Sequence, residues 1–144
     1  MSSEPDIDDY PFRHRLRVRY VEVDAQAVVY NSHYLMYYDV GITEFLRRYA
    51  FNQVEHAAAT GHDFQLVTTT VNYLRAIRYD TEIDIAVALA RIGNSSLLWK
   101  LAIFSVPEAV PLSTGEIVWV YTNLADERSV PVPDELRQRF SASP

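Results

Sequence analysis

Two carboxylates, Glu22 and Asp24, stand just before an almost wholly apolar run at 25–30 and a helical pattern at 32–50. A carboxylate can attack a carbonyl carbon or activate water against it. The amino terminus of a helix offers unpaired backbone N–H groups and a partial positive charge, which stabilise an oxyanion and the ionised form of a nearby carboxylate. Asp24, one loop before such a terminus, is therefore a candidate for acyl chemistry.

The acidic residues and the histidines also have plain structural explanations. Aspartate is common just before helices, so Asp24 can instead be a loop residue that caps the helix. We expect Glu22 to be structural or solvated rather than catalytic. His33 and His62 are isolated, with no acidic partner in register, and so predict neither a metal site nor a catalytic triad. His62 is retained only as a minor candidate for a substrate contact.

The helix that must position this site is predicted at Ser32–Ala50, with Asn31 or Ser32 as its N-cap. Gly41 lies in its middle and costs about 1 kcal/mol of helix propensity relative to alanine, so we expect it to permit close contact with a neighbouring sheet. A second short helix is predicted at Asn52–Ala59, ending at Gly61. The apolar stripe of the long helix, at spacings of three and four, consists of Tyr38, Ile42, Phe45, Leu46 and Tyr49.

Alternating apolar and polar residues predict five strands, and their short connections imply that neighbours pair antiparallel. One long helix can cover only one face of such a sheet, so we expect a second subunit to bury the other face. That outer face is expected to carry Trp99, Leu101, Ile103 and Trp119. The first strand is predicted to begin at Phe12 and the others to lie at Phe64–Arg75, Thr81–Arg91, Ser96–Val106 and Gly115–Leu124, with a loop at Pro107–Thr114 and a terminal helix at Asp134–Phe140.

The composition of the 144-residue chain limits the classes of function. The sequence has no cysteine, which excludes a disulfide scaffold, a thiolate metal site and a cysteine nucleophile. The net charge of −6 and the lack of a basic cluster argue against a nucleic-acid partner. No stretch approaches the ~20 apolar residues that span a bilayer, and the acidic start of the chain is unlike a signal peptide. We therefore expect a cytoplasmic location without a membrane partner.

We expect a single domain at 12–141, preceded by a disordered leader at 1–11 that has charges and prolines but no apolar period. Four arginines alternate along the first strand. They are interpreted as a solvated strand face, and the alternative is a local seat for the phosphates of a nucleotide-bearing ligand. The four residues are Arg13, Arg15, Arg17 and Arg19.

The segment Arg17–Tyr34 resembles the signature of the 4-hydroxybenzoyl-CoA thioesterase-like branch of the hotdog superfamily. In that family a strand ends in a D-x-D-A/P-x-G-x-V-Y/W-H/Y/F-x-x-Y turn before the long central helix. Asp24 falls on the family's catalytic aspartate, Tyr30 on its aromatic position and Tyr34 on the tyrosine of the first helical turn. The similarity continues, in the family's order, through Asp39–Arg47, Val71–Arg75, 79–82, Arg91–Leu97 and 130–133.

The resemblance implies an α+β hotdog fold, a five-stranded antiparallel sheet wrapped around one long helix, in a chain that forms homodimers or homotetramers. It implies hydrolysis of an acyl-CoA or aroyl-CoA thioester without a cofactor or a metal, with Asp24 as nucleophile or general base. The backbone N–H of Asn31 would then polarise the thioester carbonyl. The substrate contacts that the resemblance implies are Val29, Tyr30, Tyr34, Thr69, Arg75 and Arg91.

The sequence departs from the family pattern at several places. Ala27 replaces the usual glycine, so we expect the loop backbone to avoid the conformations that only glycine takes readily. Asn31 replaces the common histidine, tyrosine or phenylalanine, which removes an aromatic contact at that point. Residues 93–94 stand where some members carry CoA-binding arginines, and this leaves phosphate binding to Arg91 or Arg75, or to weak, solvent-exposed contacts.

Three other functions fit the sequence less well. A hotdog hydratase normally uses a His–Asp or His–Glu pair, and the D-x-N-x-x-H pattern of the R-hydratases is absent around Asp24. A non-catalytic acyl-CoA-binding or sensing module would keep the groove but not the carboxylate. A purely structural oligomeric subunit would bind no acyl-CoA, so binding and turnover assays separate these alternatives.

Overall fold

The computed structural model of the chain describes residues 4–142. Five long strands and one long helix form the bulk of it, in the α+β arrangement that the sequence predicts. The elements are β1 (Phe12–Arg17), α1 (His33–Arg48), α2 (Gln53–Thr60), β2 (His62–Tyr73), β3 (Glu82–Ile92), β4 (Ser96–Ser105), β5 (Pro111–Asn123), β6 (Arg128–Ser129) and α3 (Asp134–Ser141).

The strands form one antiparallel sheet in the order β1-β3-β4-β5-β2, with the two-residue β6 paired to the end of β5. β1 and β2 are therefore the edge strands, and α1 lies against β3 inside the curve of the sheet. The predicted hotdog architecture is confirmed. Strand β5 begins at Pro111 rather than at Gly115, because Ser113 pairs with both Ile103 and Tyr73. Proline is tolerated as the first residue of a strand, so the predicted loop is shorter than expected.

Close packing between α1 and the sheet depends on Gly41, as predicted. A Cβ atom at this position would lie 2.5 Å from Cγ2 of Ile85 and 3.1 Å from Cγ2 of Val87, both on β3. Real Cβ atoms do not approach a neighbour at 2.5 Å, so any side chain here would push the helix away from the sheet. The absence of a side chain therefore sets how deeply α1 lies in the sheet.

The prediction that Trp99, Leu101, Ile103 and Trp119 lie on the outer face is wrong. The first three are fully buried in the same core cluster as α1, and the ring of Trp99 meets the ring of Phe45 edge-on at 5.2 Å. Alternation along a strand separates its two faces but does not say which face meets the helix. The side chains of Trp99, Leu101 and Ile103 therefore fill the space beneath α1.

A second, smaller apolar cluster lies on the outer face, formed by Ala86, Ala102 and Phe104. Ile7 and Tyr10 pack against this cluster, and residues 7–9 form a 3-10 turn. The leader therefore differs from the expected disordered segment over residues 4–11, because two apolar side chains within it find a surface to bury. Residues 1–3 of the predicted leader lie outside the described residues.

The alternating arginines of the first strand are paired with acidic residues. The nitrogen–oxygen distances are 3.7 Å from Arg13 to Asp8, 3.0 Å from Arg15 to Asp84 and 3.7 Å from Arg17 to Glu82. Their side chains stay exposed, in keeping with a solvated strand face. The protein's own carboxylates thus balance these charges, and nothing in this arrangement supports the alternative of a phosphate seat.

The helices beyond α1 are short, and α2 is capped at both ends. In α2 the side chain of Asn52 accepts a 3.0 Å hydrogen bond from the backbone N–H of Glu55, and Gly61 closes the helix in the left-handed conformation with a φ of 73°. The predicted end at Gly61 is confirmed. Within residues 4–142, no helix combines the length and the apolar character required to cross a membrane.

Candidate active site

Asp24 lies at the start of a tight loop that leads from β1 towards α1. Its backbone N–H donates to the carbonyl of Val28 at 2.9 Å, and its own carbonyl accepts from the N–H of Ala27 at 3.0 Å. Its Oδ1 atom accepts a 2.8 Å hydrogen bond from the N–H of Gln26, while Oδ2 accepts none from any described residue. The loop therefore holds the half-buried carboxylate in place by one oxygen and leaves the other open to a substrate or to water.

The backbone of Ala27 adopts a left-handed conformation, with a φ of 60°. The expectation that this loop avoids conformations suited to glycine is therefore wrong. Two hydrogen bonds, from Ala27 to Asp24 and from Asp24 to Val28, close the loop over so few residues that one of them must turn with positive φ. Alanine meets this demand at a steric cost that glycine would not have.

Glu22 is buried and anchors the segment before this loop. Its carboxylate accepts hydrogen bonds from the backbone N–H of Arg19 at 2.8 Å, from the Arg19 guanidinium and from the hydroxyl of Tyr37 at 2.8 Å. Burial alone would raise the pKa of Glu22, but the hydrogen bonds from Arg19 and Tyr37 outweigh it and hold this pKa below its usual range. Glu22 is thus a structural residue, as expected, and it is not solvated.

The amino terminus of α1 presents free backbone donors. Ser32 is the N-cap, and its side chain makes no capping hydrogen bond. The N–H groups of Asn31 and Ser32 donate no hydrogen bond within residues 4–142, and both residues are exposed. The positive end of the helix dipole therefore faces solvent with two unpaired donors, an arrangement suited to an anionic oxygen.

A cavity of about 250 Å³ adjoins this helix terminus. Four of the predicted site residues, Val29, Asn31, Tyr34 and Arg75, come together in its wall. Tyr34 and Val29 are buried, whereas Asn31 and Arg75 lie at the surface. The cavity thus joins an apolar wall to a helix terminus and a guanidinium. Its complete lining is Val28, Val29, Asn31, Tyr34, Tyr73, Leu74, Arg75 and Ala76.

The other predicted site residues do not line this cavity. Asp24 lies on the loop that leads into it. Tyr30 is exposed, with its ring edge-on to His33 at 6.2 Å. Thr69 lies on the inner face of the sheet in β2, and its buried Oγ1 has no hydrogen-bond partner among the described residues. Arg91 is exposed at the far end of β3.

Sequence reasoning missed Tyr73, which lies in the cavity wall. Its hydroxyl donates a 3.2 Å hydrogen bond to the carbonyl of Asn31, and its ring meets that of Tyr34 edge-on at 4.7 Å. The spacing along β2 carries a signal for Tyr73. Tyr73 follows Val71 by two residues on the same strand face and precedes the predicted site residue Arg75 by two. What the sequence does not show is that this strand end meets the start of α1.

The histidines take structural positions. The ring of His62 stacks on that of Tyr121 at 5.5 Å and 14°, and its Nδ1 lies 2.9 Å from the carbonyl of Thr60, away from the cavity. His56 lies 2.7 Å from the hydroxyl of Tyr121, and burial lowers its pKa. In the part of the chain that the structure describes, no three histidine or acidic side chains are grouped to hold a metal ion.

The sequence is similar to those of known thioesterases. The family model described as the thioesterase-like superfamily matches residues 18–140. The acyl-CoA thioester hydrolase YbgC of Escherichia coli is 29% identical over 109 residues, which cover 76% of this chain and 80% of that protein. The acyl-CoA thioesterase YbgC of Haemophilus influenzae is 24% identical over 132 residues, or 92% of this chain and 96% of its own.

A solved structure shows the same fold at lower sequence identity. The 1,4-dihydroxy-2-naphthoyl-CoA thioesterase from Synechocystis superposes with a TM-score of 0.84 at 13% identity, covering 90% of this chain and 94% of its own. The sheet and its central helix are thus shared with a hotdog protein of very different sequence.

Proposed function

The chain belongs to the thioesterase-like superfamily, and on that premise we propose that it hydrolyses an acyl-CoA or aroyl-CoA thioester to the free acid and CoA. The observation that carries this proposal is the placement of the open Oδ2 of Asp24 on the loop leading to a helix terminus with two unpaired N–H groups. Hydrolysis of a thioester needs those two elements, a carboxylate that attacks or activates water and donors for the oxyanion.

In this proposal Asp24 acts as the nucleophile, forming an anhydride, or as the general base for a water molecule. The hydrogen bond from the N–H of Gln26 to Oδ1 holds the carboxylate and leaves Oδ2 for this role. The backbone N–H of Asn31 donates to the thioester oxygen as negative charge develops on it. Because this donor belongs to the backbone, it does not depend on the side chain at position 31.

The substrate contacts are proposed from the cavity outward. Val29 and Tyr34 supply apolar wall for the acyl group, with Tyr30 and Thr69 as further contacts beyond it. Arg75, at the cavity surface, supplies a cation for an anionic group of the substrate. Arg91 remains a second candidate for the CoA phosphates, from its exposed position at the end of β3.

A homodimer is part of the proposal. Among the described strands, the edge strand β2 pairs with β5 alone, and its Leu66 and Val67 are 48% and 56% exposed. An edge with free backbone groups and exposed apolar side chains is a ready surface for a second copy. Joining two such edges would bury these side chains and extend the sheet across the dimer, and pairs of dimers would give a tetramer.

The test is a thiol-release assay across short, branched, long and aromatic acyl-CoAs with Asp24→Asn. We expect turnover to fall by about 10²- to 10⁴-fold, since the variant lacks the attacking or activating carboxylate. Asp126→Asn is the matched control, because Oδ1 of Asp126 accepts from the N–H of Arg128 at 3.0 Å in a similar turn remote from the cavity. Near-normal activity of Asp24→Asn would exclude the assigned role, and tight binding without turnover by the native chain would favour the sensing function.

A further inference from the structure

Arg75 is already engaged by two groups of the protein. Its Nη1 donates to the carbonyl of Pro111 at 2.6 Å, and its Nη2 donates to Oε1 of Glu4 at 2.7 Å. The first contact joins Arg75 to the start of β5 and fixes the guanidinium at the cavity. The second places a carboxylate from the leader on the one cation among the lining residues.

The leader is held in position by its own packing. The ring of Tyr10 meets Phe104 edge-on at 5.9 Å, and Ile7 packs on the same outer cluster. Asp6 caps the 3-10 turn by accepting from the N–H of Asp8 at 2.8 Å. These contacts carry the chain across the outer face of the sheet from β1 and bring Glu4 to Arg75. The ion pair therefore belongs to an anchored segment rather than to a freely moving tail.

The ion pair is suited to exchange. The side chains of Glu4 and Arg75 are 54% and 44% exposed, so water screens their attraction and the pair stabilises the protein little. A phosphate or a substrate carboxylate can offer Nη2 an anionic oxygen in place of Oε1 of Glu4, while Nη1 keeps its contact with Pro111. Such a group can displace Glu4. A neutral group cannot, because it brings no negative charge to replace the carboxylate that Arg75 would lose.

We propose that Glu4 is a specificity-determining residue for the proposed thioester hydrolysis, acting as a built-in competitor for the anion site at Arg75. The site then favours thioesters that carry an anionic oxygen able to displace Glu4. The anion is either a phosphate of the CoA carrier or a carboxylate on the acyl group. The predicted changes in KM rest on the proposed function. The binding of free CoA, which needs no turnover, also tests the inference.

The experiment compares Glu4→Gln, Arg75→Gln and the double variant with the full native chain. Each is assayed with a neutral acyl group on CoA, the same acyl group on N-acetylcysteamine, and a dicarboxylic acyl group on N-acetylcysteamine. For the thioester whose anion binds Arg75, Glu4→Gln should lower KM about two- to fivefold and leave kcat unchanged. The neutral N-acetylcysteamine thioester should show no change. If Glu4→Gln lowers KM only for the CoA thioester, the anion at Arg75 is a phosphate. If it lowers KM for the dicarboxylic thioester, the anion is a carboxylate.

Two controls separate competition from a general effect of charge. Asp8→Asn removes an acid from the same leader, one that pairs with Arg13 rather than with Arg75, and should leave KM unchanged. In the Arg75→Gln background the additional Glu4→Gln change should have no effect. An equal effect of Glu4→Gln with and without Arg75, or an effect on the neutral thioester, would overturn the proposal. So would an unchanged KM for both anionic thioesters.

Calorimetric titration with free CoA separates this inference from the proposed function. If the native chain turns over no thioester but binds CoA more weakly than Glu4→Gln does, the function is wrong and the competitor role stands for the CoA anion. If the native chain hydrolyses thioesters and Glu4→Gln changes neither KM nor CoA affinity, the function stands and the competitor role fails.

Discussion

The hydroxyl of Tyr37 donates a 2.8 Å hydrogen bond to Oε1 of Glu22, and both groups are buried. Tyr37 lies on α1. Glu22 is the last residue of a second 3-10 turn, Tyr20–Glu22, which precedes the loop of Asp24. The carbonyl of Glu22 also accepts from the N–H of Tyr30 at 3.0 Å. Through its carboxylate Glu22 thus ties the central helix to the start of the segment that carries the proposed catalytic group, and through its backbone carbonyl it holds the far end of that segment, at Tyr30.

Replacing Tyr37 by phenylalanine should lower the free energy of unfolding by about 1–3 kcal/mol, because a buried carboxylate oxygen loses a donor. Urea denaturation of the two proteins measures this difference. Tyr49→Phe is the control, since the ring of Tyr49 packs on Phe45 at 4.8 Å but its hydroxyl bonds to no described residue. An equal effect of the two substitutions would show that the hydrogen bond to Glu22 adds nothing.

The same carboxylate should make stability depend on acid pH. Since the pKa of Glu22 is lowered in the folded protein, its stabilisation is complete above the ordinary pKa of about 4.3. It is lost as the pH falls through the lower value of the folded state. As the pH is lowered from about 6 to about 3, the denaturation midpoint should therefore fall less steeply for Glu22→Gln than for the native chain. Parallel curves would contradict this.

Ala27→Gly should stabilise the chain by up to about 1 kcal/mol, because glycine adopts a φ of 60° without the steric cost that alanine has. The greater freedom of glycine in the unfolded chain offsets part of this gain. Thermal unfolding measures the net effect. Ala25→Gly, in the same loop but without a positive φ, should destabilise slightly instead, and a loss of stability in both would refute the argument from backbone conformation.

Tyr73→Phe should lower kcat about two- to tenfold with little change in KM. The hydrogen bond from Tyr73 to the carbonyl of Asn31 holds the residue whose own N–H is the proposed oxyanion donor, and it fixes the plane of the peptide group that Asn31 shares with Ser32. Steady-state kinetics measure the effect. Tyr79→Phe removes a hydroxyl that bonds to no described residue and keeps the edge-on contact with Tyr20, so it should be neutral. A rise in KM alone would show instead that Tyr73 only shapes the cavity.

Val67→Lys should convert the proposed dimer to a monomer, because a lysine on an exposed strand edge opposes pairing with a second copy. Light scattering after size-exclusion chromatography gives the mass directly. Val54→Lys, at a still more exposed position on α2, should leave the mass unchanged. A dimer that survives Val67→Lys would place the interface elsewhere than the β2 edge.

Local patterns predicted the elements well, because helix and strand periods and the cap at Gly61 depend on residues that are close in the sequence. The orientation of Trp99 was missed, since alternation leaves both faces of a strand equivalent until the helix packs on one of them. The positive φ of Ala27 was missed because closure of the loop, not residue preference, imposes it.

The site was predicted only in part for a related reason. Asp24 and Asn31 are seven positions apart and belong to one local pattern. The contacts of Asn31 with Tyr73 and of Arg75 with Glu4 join residues 42 and 71 positions apart. Such separations carry no periodic signal, and only the completed sheet brings these residues together.

The missing side chain at Gly41 also bears on how this protein could be altered for new substrates. Gly41 is eight residues along α1 from its first residue, His33, or roughly 12 Å at 1.5 Å per residue. A methyl group there would lift the helix off Ile85 and move its amino terminus as a rigid rod. Displacements of about 1 Å at reacting groups are costly to catalysis. In directed evolution, position 41 should therefore be held constant while the cavity wall is diversified.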